Sequence, residues 1–238
     1  MSAGIGAYGA DLTRAQRMTW VVARVVMTTF AKIWFRYEVR GAENLPTSGA
    51  FIVSPVHRSN LDTPLLPVIR RAPIRFMGKD SLWKAHPAAD WFLTTLGGFP
   101  VERGGADRGA LRLAEEILER GEALVMFPEG TRRSGDVILE ENMFDGPSFL
   151  AGRRQCPIVP VGIGGSERAM PIGKKFVYPR KVVFIIGEAL EPPSENENGR
   201  VTRKAVKAHT DVLRARLQVL FDEAMVVSGA RKANEIAA

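Results

Sequence analysis

Cysteine is nearly absent from this 238-residue chain: Cys156 is the only one, so no disulfide can close within it and no four-thiolate metal site can be built. Its neighbours Gln155 and Pro157-Ile158-Val159 read as a strand entry, where a thiol acts as a small hydrophobe. Histidine is scarce too, with His57, His86 and His209 as the three copies, which disfavours a histidine-rich metal centre and leaves only a mixed carboxylate site open. Despite 23 glycines, there is no Gly-x-Ser-x-Gly elbow, Walker spacing or dinucleotide fingerprint. No aromatic RNA signature or DNA-reading motif accompanies the basic charge, so nucleic acid is not the expected partner. The chain lacks an uncharged apolar run of about 18 residues that would cross a bilayer. Residues 1–14 lack the order of a secretory signal, so a cytoplasmic placement is expected.

With 45% hydrophobic and 25% charged residues, the chain can bury one substantial core. The expected fold class is α/β, a central mixed, largely parallel sheet flanked by helices, with an N-terminal amphipathic helical extension. A formal charge of +7, spread along the chain, favours anionic partners: acidic membrane surfaces or phosphorylated metabolites. Residues 15–35 form the most apolar helix candidate. Arg17, Arg24 and Lys32 fall near one face, and Trp20, Val25, Phe30 and Trp34 occupy the remainder. That pattern fits either a helix lying in a membrane interface or one packed on its own domain.

Strands are expected at 35–39, 50–53, 74–77, 123–127, 158–163 and 181–186, with helices at 63–69, 88–96, 107–120, 147–154 and 202–226. Threonine at 63 and proline at 64 suit a cap and a first helical position. The expected division is a helical membrane-associating segment at 1–34, an α/β core at 35–190, and a linker with a basic C-terminal helix at 191–238.

Three of the strand-like runs end in polar clusters: residues 57–62, residues 127–133 and residues 162–167. Loops after the carboxyl ends of parallel strands converge on one cleft in an open α/β sheet. His57 precedes Asp62 by five positions, so the carboxylate can hold one imidazole nitrogen while the other receives a proton. A helix cap made by Ser59 and Asp62 is the plainer reading of the same residues. Glu129 can bind a hydroxyl or form a surface ion pair, Gly130 permits a tight turn, and Arg132 or Arg133 can grip a phosphate. Arg103 is a further phosphate candidate, with Glu102 as its local alternative partner. Lys79 borders the same region or lies in a solvated turn, and Pro160 and Gly162 mark a shaped strand.

Taken together, His57-Arg58-Ser59-Asn60-Leu61-Asp62, Gly97-Gly98-Phe99-Pro100-Val101-Glu102-Arg103, Phe127-Pro128-Glu129-Gly130-Thr131-Arg132 and Val159-Pro160-Val161-Gly162-Ile163 resemble the four ordered blocks of the glycerolipid acyltransferase family. The resemblance spans about residues 35 to 190. It departs from the family at Val56, where many members carry asparagine, and at Phe144-Asp145-Gly146-Pro147, which lacks a cation often found there.

The resemblance implies that His57 removes a proton from a glycerol hydroxyl, with Asp62 orienting the imidazole. It also implies that Arg103, Arg132 and Lys79 bind the acceptor phosphate or its surroundings and that Glu129 and Gly130 contribute to acceptor binding. Phe127, Pro128, Pro160 and Gly162 would shape the pocket. Acyl-CoA is the implied donor, with acyl carrier protein as an alternative, and no metal or other cofactor is required. The implied setting is the cytoplasmic face of a membrane, held peripherally or monotopically against anionic lipid; the oligomeric state stays open. The expected reaction converts 1-acyl-sn-glycerol 3-phosphate to phosphatidate. Glycerol 3-phosphate or 2-acylglycerol 3-phosphate is the alternative acceptor, and a non-catalytic membrane adaptor is the alternative of a different class.

Overall fold

The computed structural model describes residues 12–101, 108–174 and 176–232. Seven strands form one sheet: β1 (Glu38–Arg40), β2 (Phe51–Pro55), β3 (Arg75–Lys79), β4 (Gly98–Val101), β5 (Ala123–Val125), β6 (Ile158–Gly164) and β7 (Val183–Ile186). Their spatial order is β1-β7-β6-β2-β5-β3-β4. Every neighbouring pair is parallel except β6 with β7, so the mixed, largely parallel sheet expected from the sequence is observed. Central β2 is buried at all five positions, as a strand covered on both faces must be.

The helices are α1 (Arg14–Trp34), α2 (Asp62–Leu65), α3 (Pro87–Thr95), α4 (Arg108–Glu119), α5 (Gly146–Arg154), α6 (Ser166–Ala169) and α7 (Arg203–Val227). A reciprocal capping box starts α1: Gln16 N–H donates to the Thr13 hydroxyl at 3.2 Å, and Thr13 N–H donates to Gln16 Oε1 at 3.0 Å. This satisfies two donors that a helix start otherwise leaves free. Thr202 caps α7 in the simpler way, accepting from Ala205 N–H at 3.1 Å.

The buried stripe of α7, including Val206, Leu213, Leu217, Phe221 and Ala224, recurs at three and four residues and so occupies one face. That face lies on β6, and burying each large side chain there contributes about 1.5–3 kcal/mol. Close approach depends on Gly162 and Gly164. A side chain at either would overlap the α7 backbone, at Leu220 and Ala224 respectively.

Two local expectations are corrected. A helix capped by Thr63 and running through Ile69 does not form. Instead α2 begins at Asp62 after Leu61, without a side-chain cap, and gives way to a 3₁₀ turn at Leu66–Val68, since Pro67 brings no N–H for a longer α-helix. Strand β4 is absent from the strands expected from sequence, because Gly98 and Pro100 lie within it. It is an edge strand paired only with β3, the setting in which proline is tolerated within a sheet.

Candidate active site

Both neighbours of β2, β5 and β6, run parallel to it, so the chain leaves all three at the same edge of the sheet. The loop after β2 carries His57, the one after β5 carries Glu129 and Arg132, and the one after β6 enters α6. At the next position outward, β3 ends at Lys79. The topology thereby assembles at one edge residues separated by more than a hundred positions.

Asp62 is fully buried. Its Oδ2 accepts from Arg58 N–H at 2.7 Å and Ser59 N–H at 2.7 Å, and faces His57 Nδ1 at 3.0 Å. A carboxylate oxygen only accepts, so the contact assigns the hydrogen to Nδ1 and leaves Nε2 as the basic nitrogen. The Ser59–Asp62 spacing that reads as a capping box is half realised, through the Ser59 N–H bond. One oxygen thus serves both readings, tying the turn and orienting the imidazole. The His57 ring also stacks on Phe127, with centroids 4.0 Å apart and planes 26° apart, which restricts rotation of the ring.

Glu129 is 1% exposed, and its carboxylate is engaged within the protein. Its Oε2 accepts the His57 backbone N–H at 2.9 Å, and Arg58 Nη1 lies 2.6 Å from both carboxylate oxygens. Of the two roles expected for Glu129, the ion pair forms, buried and with Arg58 as partner, and the carboxylate braces the loop after β2 against the loop after β5. Arg133 N–H donates to the His57 carbonyl at 2.9 Å, so both backbone polar groups of His57 are held. Gly130 has φ +63°, and a Cβ there would meet the Phe144 ring; its left-handed turn carries the chain away from Glu129. Pro128 is buried, and its carbonyl accepts from Phe144 N–H at 2.8 Å.

Arg58, 2% exposed, was not singled out from sequence. Besides Glu129 it donates through Nε to the Gly135 carbonyl at 3.1 Å, and its guanidinium lies 5.0 Å over the Phe221 ring. Nothing local marks an arginine within a polar turn for burial, because its partners come from the β5 loop and from α7.

His57, Lys79 and Arg132 share the wall of a cavity of about 1050 Å³. The remaining wall is mostly apolar: α1 contributes Met18, Val22, Val26 and Phe30, and Met77 and Trp83 also line it. Many of these α1 side chains stay partly open to solvent, with Val26 63% exposed. Arg24, expected on a basic face, instead donates to the Arg70 carbonyl at 3.2 Å and ties α1 to the core. Pro160 and Gly162 do not line the cavity. Both are buried in β6, where Gly162 receives the backbone of α7. Arg103 lies outside the described residues.

The lone thiol is consistent with a packing role. Burial pushes Cys156 up to about 11, which keeps it protonated at neutral pH. No group of three or more His, Cys, Asp or Glu side chains suited to a metal ion occurs among the described residues.

Residues 36–164 match the family model described as Acyltransferase. A 1-acyl-sn-glycerol-3-phosphate acyltransferase of Bacillus subtilis is 30% identical over 154 residues, which span 64% of this chain and 73% of that protein. A lyso-ornithine lipid O-acyltransferase of Pseudomonas aeruginosa is 36% identical over 132 residues, spanning 54% of this chain and 47% of the relative. The chain thus matches about half the length of the latter. The crystal structure of the 1-acyl-sn-glycerophosphate acyltransferase of Thermotoga maritima superposes with a TM-score of 0.67 at 27% identity, over 87% of this chain and 83% of that one. The family model covers the sheet edge that carries His57, Asp62, Glu129 and Arg132, and on these grounds the chain belongs to the glycerolipid acyltransferase family.

Proposed function

We propose that the chain transfers a fatty acyl group from acyl-CoA to the free hydroxyl of 1-acyl-sn-glycerol 3-phosphate, forming phosphatidate. The observation that carries this reading is the placement of His57. Its Nδ1 is committed to Asp62, and its ring borders a cavity that combines apolar walls with Lys79 and Arg132. Such a cavity suits a molecule that is part alkyl chain and part phosphate. The activities named for the Bacillus and Thermotoga relatives support the same acceptor.

In the proposed step, His57 Nε2 takes the hydroxyl proton as the oxygen attacks the thioester carbonyl. The new C–O bond forms, the C–S bond breaks, and the proton passes from the imidazolium to the departing thiolate. Asp62 stabilises the transient imidazolium across the 3.0 Å contact and prevents the ring from presenting its other tautomer. Lys79 and Arg132 hold the acceptor phosphate. Gripping it and the acyl chains together brings hydroxyl and thioester into one encounter, which replaces a costly bimolecular collision. No cofactor enters, because the thioester is already an activated acyl group.

Access follows from the same surface. No helix among the described residues is long and apolar enough to cross a membrane. The exposed apolar side chains of α1, with Ile33 74% exposed, support a helix lying in a membrane interface, where amphipathic substrates reside; the cytoplasmic face is the side proposed for it. Basic residues such as Arg17 and Lys32, exposed on the same helix, suit anionic lipid.

The test is mass spectrometry of products after incubating the protein with mixed-chain acyl-CoAs and, separately, glycerol 3-phosphate, 1-acyl and 2-acyl lysophosphatidate. Phosphatidate from the 1-acyl acceptor, lost in His57→Ala with folding retained, is the expected result. Acylation of glycerol 3-phosphate alone would overturn the acceptor assignment. No product from any acceptor, with vesicle binding intact, would instead identify a membrane adaptor.

A further inference from the structure

Asp62 uses only one of its two oxygens. Oδ2 meets three donors, whereas Oδ1 is buried without a hydrogen-bond partner. A buried carboxylate oxygen left bare is costly, and native structures seldom tolerate it. The turn after β6 supplies the group that could fill it. Ser59 Oγ donates to the Met170 carbonyl at 2.9 Å, clipping that turn onto the loop that holds His57 and Asp62. Within the turn, on α6, Glu167 has both carboxylate oxygens buried, and neither has a partner at hydrogen-bonding geometry.

An ionised Glu167 would place a second buried negative charge close enough to Asp62 for the two to repel. Burial pushes its carboxyl above the ordinary range, and the charge of Asp62 pushes it further in that direction. The Glu167 and Gly165 N–H groups and Arg168 oppose this. Arg168 is exposed, and its guanidinium already donates to the Gly229 carbonyl at 2.6 Å. A protonated Glu167 has what Oδ1 lacks, a donor, while Oδ1 is the acceptor that a buried O–H requires.

Resting on the reading of His57 as the base, we propose that Glu167 is a protonated positioning residue that directs its O–H, directly or across one water, to the free Oδ1 of Asp62. Asp62 is then fixed at both oxygens. The donor on Oδ1 draws charge from the carboxylate, which moderates its pull on the His57 proton and keeps Nε2 a base ready to pass its proton on.

The test compares Glu167→Gln and Glu167→Leu with wild type in full-length protein, thermal melts confirming that each variant folds. Glutamine keeps a neutral donor, so kcat should stay within about twofold; leucine removes it, so kcat should fall about tenfold with KM for both substrates unchanged. The acid limb of kcat/KM against pH should move upward in Glu167→Leu and hold its place in Glu167→Gln. An infrared difference spectrum of wild type against Glu167→Gln at neutral pH, a readout independent of turnover, should show the C=O stretch of a protonated carboxyl.

Absence of that band would overturn the inference even with His57→Ala inactive. So would full activity of Glu167→Leu, or equal loss in both variants with the acid limb moving downward, which marks an anionic Glu167. Persistence of the band with an active His57→Ala would instead sink the His57 assignment on which the role rests.

Discussion

Arg58 and Glu129 form an ion pair whose Nη1 to carboxylate-oxygen distances are 2.6 Å, with both side chains only 1% exposed. The pair joins the loop after β2 to the loop after β5. It sets the position of His57, because the same Glu129 carboxylate accepts the His57 N–H.

Removing one member should therefore be worse than removing both. Glu129→Leu leaves the Arg58 charge buried without its partner, a loss of about 3–5 kcal/mol in urea denaturation. The combined Arg58→Met and Glu129→Leu variant should recover much of that stability, since apolar replacement of a buried pair is often neutral. Turnover should remain absent in both, because the His57 amide has lost its acceptor. A double variant less stable than Glu129→Leu would contradict this.

The contact between β6 and α7 gives a sharper stability prediction. Gly162→Ala places a methyl group against the Leu220 backbone, which a side-chain rotation cannot relieve. A loss of about 1–3 kcal/mol is expected from such overpacking. The midpoint of chemical unfolding would measure it, and Gly135→Ala provides a comparison at a position with open space around it but a strained φ of +92°.

His209 makes stability fall in mild acid. Nε2 faces the Glu191 carbonyl at 2.9 Å and Nδ1 faces the Ser148 hydroxyl at 2.9 Å, so Nε2 carries the hydrogen and Nδ1 accepts from Ser148. Burial holds the imidazole below its ordinary 6.5. The unfolded chain thus takes up a proton at higher pH than the folded one. The stabilising contribution is complete above 6.5 and is lost as pH falls from there toward the lowered folded value. Urea midpoints measured between about pH 7 and pH 5 should drop more steeply in wild type than in His209→Gln; parallel curves would remove His209 as the cause.

The apolar cavity predicts chain-length selectivity. Val26 lines it from α1, and Val26→Trp should shorten the alkyl chain that fits. Excluding two methylenes lowers kcat/KM about tenfold for a long acyl-CoA relative to a short one, at about 0.8 kcal/mol per methylene. Competition between two chain lengths in one reaction gives the ratio directly; an unchanged ratio would place the chain elsewhere.

Much of the sheet was legible because its strands are short apolar runs closed by glycine, proline or polar clusters, and α7 because its apolar residues recur at helical spacing. The His57–Asp62 pair and the order of the four blocks were legible for a similar reason, being local patterns. Glu129 shows where such reading ends. A glutamate after a strand reads equally as a hydroxyl contact or a surface ion pair, and only the packing of the β2 loop against it shows a buried pair with Arg58 at both oxygens. Pro160 and Gly162 likewise mark a specialised strand, but not which neighbour requires it.

The sequence alone determined most of the elements and the candidates for acid–base and phosphate chemistry, because hydrophobic period, turn residues and functional groups are properties of short segments. Tertiary structure decided the allocation of those groups: Asp62 to His57, Glu129 to Arg58, Gly162 to α7, and Lys79 with Arg132 to the apolar cavity. Burial makes that allocation. Once water is excluded, every charge and hydrogen-bonding group must take its partner from whatever chain the fold brings within about 3 Å.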